Sequence, residues 1–207
     1  ICTNEAHHSY GQALDTELKK VRKTVDYLHA NSPNLVCVVN TTGTPYFKRQ
    51  LFRDVVIWYG LSQGITDNIL KTIGANIHAF DFEGDARPVV AQIVAEFFDK
   101  YRDVALPDGS PAKLAIYFPQ TDDLRELRPV VETKLIELGL SPGLVLECHS
   151  GSGVADHSAF ARINDPACPH RVVLLVNMGT EGWNVPSLFA CALARKLKTS
   201  NNFVLQA

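Results

Sequence analysis

At 207 residues, 46% hydrophobic and 20% charged, the chain has enough apolar material for one or two globular domains with their own cores. Its net charge of −2 gives no overall electrostatic case for a nucleic-acid partner, which leaves only a locally basic surface for that role. No apolar run approaches the length of a membrane span, and no membrane association is expected. The five cysteines, Cys2, Cys37, Cys148, Cys168 and Cys191, are odd in number and scattered, three of them in apolar strand-like runs. They read as buried free thiols in a reducing compartment, the cytoplasm. Cys148-His149 and Cys168-Pro169-His170 lack the C-x-x-C spacing of a zinc set, so no metal is expected there.

Taken in order, residues 1–3 read as the tail of a buried strand, followed by the polar string Asn4-Glu5-Ala6-His7-His8. Leu14, Leu18, Val21, Val25 and Leu28 recur at spacings of four and three, which predicts an amphipathic helix with Lys19, Lys20, Arg22 and Lys23 on its outer face. Ser32-Pro33-Asn34 is a turn, residues 35–39 a buried strand, and Asn40-Thr41-Thr42-Gly43-Thr44-Pro45 the loop after it. A strand over 55–59, a short helix over 66–72 and a strand over 77–82 follow. Residues 83–88, polar and broken by Gly84 and Pro88, are the expected linker.

Beyond the linker the pattern restarts. A helix is predicted over 89–101 with Val90, Val94, Phe97 and Phe98 on one side, a strand over 114–118, and a helix over 122–138 closed by Gly139. A strand over 144–148, the loop His149-Ser150-Gly151-Ser152-Gly153 and a helix over 156–163 come next. The run from Arg171 to Val176 is a strand buried on both faces, and 188–193 a second apolar strand. Strands alternating with helices make this an α/β chain with a mainly parallel sheet. Ile1 and Ala207 both lie in apolar runs and the one methionine is Met178, so a piece of a longer chain is expected.

Several strings bear chemistry, and each has a plainer reading. Asn4 followed by Glu5 is also a common helix start. Thr41 to Pro45 is also an ordinary polar turn. Ser152 lacks the G-x-S-x-G frame of a hydrolase nucleophile. Arg195-Lys196-Leu197-Lys198 is a basic cluster suited to phosphate contact or to plain solvation. Gly179-Thr180-Glu181-Gly182-Trp183-Asn184 is a polar, glycine-bearing turn at a strand's carboxyl end, where ligands of open α/β sheets sit.

The string Thr180-Glu181-Gly182-Trp183-Asn184-Val185-Pro186 resembles the T-E-G-W-D-V-P segment of motif V in superfamily 2 helicases, most closely the Res subunit of type III restriction enzymes. Asn4-Glu5-Ala6-His7 resembles the D-E-A-H box, Thr42-Gly43-Thr44-Pro45 motif III, and Ala115-Ile116-Tyr117-Phe118 motif IV, in the family's own order. The resemblance implies two RecA-like lobes with mainly parallel sheets. The first, residues 1–82, is only partly present. The second, 89–207, stops at the start of motif VI. It implies ATP and Mg2+ as cofactors, DNA as partner and a modification methyltransferase subunit as a further one.

By resemblance, Glu5 is the base that activates water, His7 the residue coupling nucleotide to nucleic acid, and Thr42 and Thr44 the hydroxyls coupling hydrolysis to movement. Asn4, Glu181, Gly182, Asn184 and Gln206 fall at nucleotide positions, and Ser150, Thr180, Arg195 and Lys196 at nucleic-acid positions. Asn4 is also the implied Mg2+ ligand. It stands where the family has Asp, and its neutral oxygen holds a hard cation less tightly. The implied activity is ATP hydrolysis coupled to movement on DNA in a longer protein, with this piece inactive by itself. The alternative, suggested by asparagine at 4 and 184, is a helicase-like nucleic-acid-binding or scaffold protein that no longer hydrolyses ATP.

Overall fold

The computed structural model describes residues 2–3, 16–43, 46–47, 50–51, 55–70, 77–78, 85–179 and 183–194. The chain divides into two compact units, 1–77 and 78–207.

In the first unit, β1 (Cys2–Thr3) and β2 (Val39–Asn40) pair in parallel, Cys2 opposite Val39 and Thr3 opposite Asn40. Between them in sequence lies α1 (Thr16–Asn31), whose 3-4 spacing of apolar residues places Val25 in the interior. A small antiparallel pair, β3 (Tyr46–Phe47) and β4 (Gln50–Leu51), was not legible in the sequence. α2 (Leu61–Thr66) forms earlier than the expected 66–72. Asn68, in the left-handed region at φ 57°, and the Asp67 side chain, which accepts from Gln63 and Tyr59, end it.

Two strand expectations in this unit are corrected. Only Val39 and Asn40 of the run from 35 are in a strand, and Val36 is 95% exposed. Residues 55–59 are not in a strand, and Val56 is 92% exposed. An apolar run reads as a doubly buried strand, but burial comes only from neighbouring strands and helices. Among the described residues of this unit no strand pairs with 55–59 or with 35–38. Residues 77 and 78 are likewise outside any strand; 79–82 lie outside the described residues.

The second unit opens on α3 (Arg87–Tyr101), so the expected linker is overrun by its last two residues. Asp85 accepts from the Arg87 N–H at 3.0 Å and also holds the Arg87 guanidinium, while Pro88 sits in the first turn, where no N–H is needed. β5 (Lys113–Tyr117), α4 (Thr121–Glu137), β6 (Val145–Cys148), α5 (Val154–Ala161), β7 (Val172–Leu175) and β8 (Leu188–Leu193) follow. The four strands form one all-parallel sheet in the order β6–β7–β5–β8. α4 ends as expected: Gly139 takes φ +71°, and the Leu140 N–H returns to Leu135 O at 2.8 Å.

The strands alternate between two cores. Leu114, Ile116 and Phe118 pack with Val90, Val94, Phe97 and Phe98 of α3 and Leu124, Leu127, Val131 and Leu135 of α4. Ala115, Tyr117, Val173 and Leu175 face the other way, onto Phe160 and Ile163 around α5 and onto Trp183 and Val185. Helices therefore cover one face, and a helix with an extended crossover covers the other, which is why the strands read as unbroken apolar runs. Lys113 is fully buried at the start of β5. Arg171 reaches from just before β7 to cap the end of α3. It donates to Tyr101 O, Arg102 O and Ala112 O at 2.7, 2.8 and 3.1 Å and lies 4.9 Å from the centre of the Phe98 ring.

All five cysteines are free, but only Cys148 is buried. Cys37 and Cys191, expected inside, are exposed, one on the uncovered 35–39 run and the other on β8 at the sheet's edge. No described helix is long and apolar enough to cross a membrane.

Candidate functional site

The strand order fixes where a ligand site can form. β5 connects through α4 over one face, and β7 connects to β8 over the other, so the segments leaving β5 and β7 part to opposite faces at the sheet's carboxyl edge. Crevices of this kind are the usual ligand sites of open α/β sheets.

The turn after β7 is held at both ends. Tyr117, the buried last residue of β5, donates its hydroxyl to Gly179 O at 3.0 Å, and burial pushes its ionisation well above the ordinary tyrosine value. Asn177 and Gly179 both lie in the left-handed region, at φ 53° and 64°, so the chain turns sharply there. At the far end Trp183 folds back over Gly179 and stacks on Phe160 of α5, with ring centroids 5.1 Å apart and planes at 21°. A Cβ at Gly179 would lie 2.7 Å from the indole, so only glycine fits both the backbone and the ring. Thr180, Glu181 and Gly182 lie outside the described residues, between these two anchored points.

The loop after β6 is held by a polar network. The His149 imidazole is buried; its Nδ1 accepts from the Gly151 N–H at 3.0 Å, which assigns the proton to Nε2 and makes Nε2 the donor to Glu147 Oε1 at 3.0 Å. Glu147 Oε2 accepts from Arg128 at 2.8 Å, and Arg128 also holds Glu132 one turn further along α4. Burial alone would raise the Glu147 carboxyl, but the hydrogen bonds from Arg128 and His149 outweigh it and hold the carboxyl below the ordinary range. Ser152 ties the loop back by accepting from the His149 N–H at 2.9 Å. Ser150 is left exposed at the tip. The neighbouring Cys148 thiol, 3.7 Å from His157 Nδ1, is buried and its ionisation raised by that burial, the opposite of an activated nucleophile.

Of the residues proposed from sequence, the structure places Ser150 at the carboxyl edge and Thr42 two residues beyond β2 in the first unit. Asn184 is not with Ser150. The crossover from β7 returns to the amino edge of the sheet, where Asn184 O accepts from Asn164 Nδ2 at 2.8 Å. Asn4, Glu5, His7, Thr44, Thr180, Glu181, Gly182, Arg195, Lys196 and Gln206 lie outside the described residues. Arg195 and Lys196 follow Ala194, whose N–H donates to Tyr117 O at 2.8 Å at the end of β8.

Sequence reasoning overlooked Tyr117, Glu147 and Arg128. The i, i+4 pair Arg128–Glu132 and the string Glu147-Cys148-His149 at a strand end were the available signals. Among the described residues no group of three or more His, Cys, Asp or Glu is placed to hold a metal ion.

The fold thus defines an α/β unit with an all-parallel sheet and two side-chain-anchored segments at its carboxyl edge. No protein-family model matches the chain, and neither a curated protein nor a solved structure matches it.

Proposed function

We propose that the chain is part of an ATP-dependent helicase or translocase of the type III restriction Res kind, with two RecA-like lobes, acting on DNA. The observation that carries this reading is that Gly179 and Trp183, which flank Thr180-Glu181-Gly182 in sequence, are both anchored by side chains in the segment that follows the third strand of an all-parallel sheet. Further support comes from the first unit, where β1 and β2 run parallel and end side by side. The string Asn4-Glu5-Ala6-His7 continues from the first and Thr42 follows the second, the family's order for its D-E-A-H box and motif III.

On this reading Glu5 polarises the attacking water, His7, Thr42 and Thr44 couple turnover to movement, and Glu181, Gly182 and Gln206 face the nucleotide. Ser150, Thr180, Arg195 and Lys196 contact DNA phosphates, which makes binding salt-sensitive. When bound, ATP supplies the transferred phosphoryl group and Mg2+ neutralises the charge that develops on it. The described residues contain no cluster suited to the metal, so no step is assigned to it. A modification methyltransferase subunit is the protein partner of this class.

Asparagine at 4 and 184 favours a second reading, a helicase-like nucleic-acid-binding or scaffold protein without turnover. ATPase assays of the full-length protein and its Asn4→Asp variant separate the two. Full turnover with Asn4 in place supports the helicase. A silent wild type with a large gain in the variant supports the binding protein.

A further inference from the structure

Where the chain leaves β6, one hydrogen bond of the following turn depends on an uncharged ring. The His149 imidazole is 4% exposed and sits between two partners, the Glu147 carboxylate at 3.0 Å from Nε2 and the Gly151 N–H at 3.0 Å from Nδ1. Two other bonds of the turn are indifferent to its charge. The His149 N–H donates to Ser152 Oγ at 2.9 Å, and the Ser152 N–H donates to His149 O at 3.0 Å. The bond from Gly151 is not indifferent, because an imidazolium carries hydrogen on both nitrogens and accepts at neither. Turning the ring over sets a C–H against Gly151 in place of Nδ1, so neither orientation of a charged ring keeps that bond. Gly151 is exposed, so its N–H meets water once released.

We propose that His149 is a proton-operated latch: neutral, it holds the 149–152 turn closed through Gly151; charged, it stays paired with Glu147 and releases the turn, with the exposed Ser150 at its tip. The surrounding groups set up this division. From β6 come Glu147 and the Cys148 thiol. From α4 comes Arg128, which holds Glu147 Oε2 at 2.8 Å and also bonds Glu132. From α5 come Asp156 and His157, whose Nδ1 lies 3.7 Å from Cys148 Sγ. β7, beside β6, has only valine and leucine. Of these groups Glu147 bonds the ring directly, and its carboxyl is held below the ordinary range, so it stays negative while a histidine takes up a proton. A carboxylate so placed favours the imidazolium, and Gly151 favours the neutral ring. The proton therefore decides which partner is kept. The latch needs neither nucleotide nor DNA; under the reading above, the Ser150 contact rides on the same turn.

The test is an NMR titration of the chain from about pH 8 to about pH 5, the range in which histidine changes charge. The His149 Cε1–H and the Gly151 amide should move together through one step, with the Ser150 and Ser152 amides following. Across that step the Gly151 amide should lose protection from exchange by about tenfold, the scale of one lost hydrogen bond. His149→Asn keeps an acceptor near the place of Nδ1 but gains no proton, so the turn should stay closed at every pH. Glu147→Gln removes the charge that favours the imidazolium and should move the step to lower pH, a readout that stands even if the asparagine variant fails to fold. His157→Asn should leave the step in place. A Gly151 amide that ignores the His149 step or keeps its protection would overturn the proposal, as would the lack of any His149 step in this range. So would a step that survives in His149→Asn, vanishes in His157→Asn or stays fixed in Glu147→Gln.

Discussion

Gly179→Ala tests the anchoring of the turn after β7. Gly179 has φ +64°, and an alanine held in the left-handed region loses ~1–2 kcal/mol. The added methyl would also lie 2.7 Å and 2.9 Å from two indole carbons of Trp183, so the ring must move. Moving it loosens the stack on Phe160, worth ~0.5–1.5 kcal/mol beyond the buried area. The two losses together come to about 1.5–3.5 kcal/mol. Urea unfolding followed by far-UV circular dichroism, a probe that needs neither tryptophan, reads this directly. In a Trp183→Ala background the clash is gone, so the same glycine change should cost only the backbone part, ~1–2 kcal/mol. A cost below ~0.5 kcal/mol, or an equal cost in the two backgrounds, would refute the argument that the ring and the left-handed glycine hold each other.

Two further expectations concern buried charge. Arg171→Met removes the donor to three carbonyls around the end of α3 and should cost about 3–5 kcal/mol, read as a fall in the melting temperature, with an unchanged melting curve as the contrary result. Glu147, held below its ordinary value of 4.5, contributes stability that is fully present above that pH and is lost as pH falls through its lowered folded value. The gap in unfolding free energy between wild type and Glu147→Gln should therefore narrow as the medium is acidified, whereas a constant gap would mean that the carboxylate charge is not what Arg128 and His149 hold.

The second unit was legible because each of its elements carries its own period. α3 buries the four residues its spacing selects, α4 stops at Gly139, and every strand lies within one residue or so of its apolar run. The first unit was less legible. The runs at 35–39 and 55–59 have strand composition, but composition cannot supply the neighbours that would bury them. Lys113 was hidden for the reverse reason: a lysine that opens a strand reads as solvent, and its burial depends on the crossover that ends at Ser187. The site was legible only as strings. Thr180 to Pro186 reads as one polar turn, yet the 12 residues between β7 and β8 must carry the chain from one edge of a parallel sheet to the other. That is why Trp183 packs on the sheet's face and Asn184 emerges at the amino edge. The His149–Glu147–Arg128 network joins α4 to β6 across 19 residues, a separation at which sequence alone indicates no pairing.

The central claim is most directly tested by ATP hydrolysis in the full-length protein, with and without DNA, for wild type and Glu5→Gln. DNA-stimulated turnover is expected in wild type and should fall by at least ~100-fold in the variant, the scale expected for loss of a positioned general base. No turnover by wild type, or equal turnover by the two proteins, would contradict it.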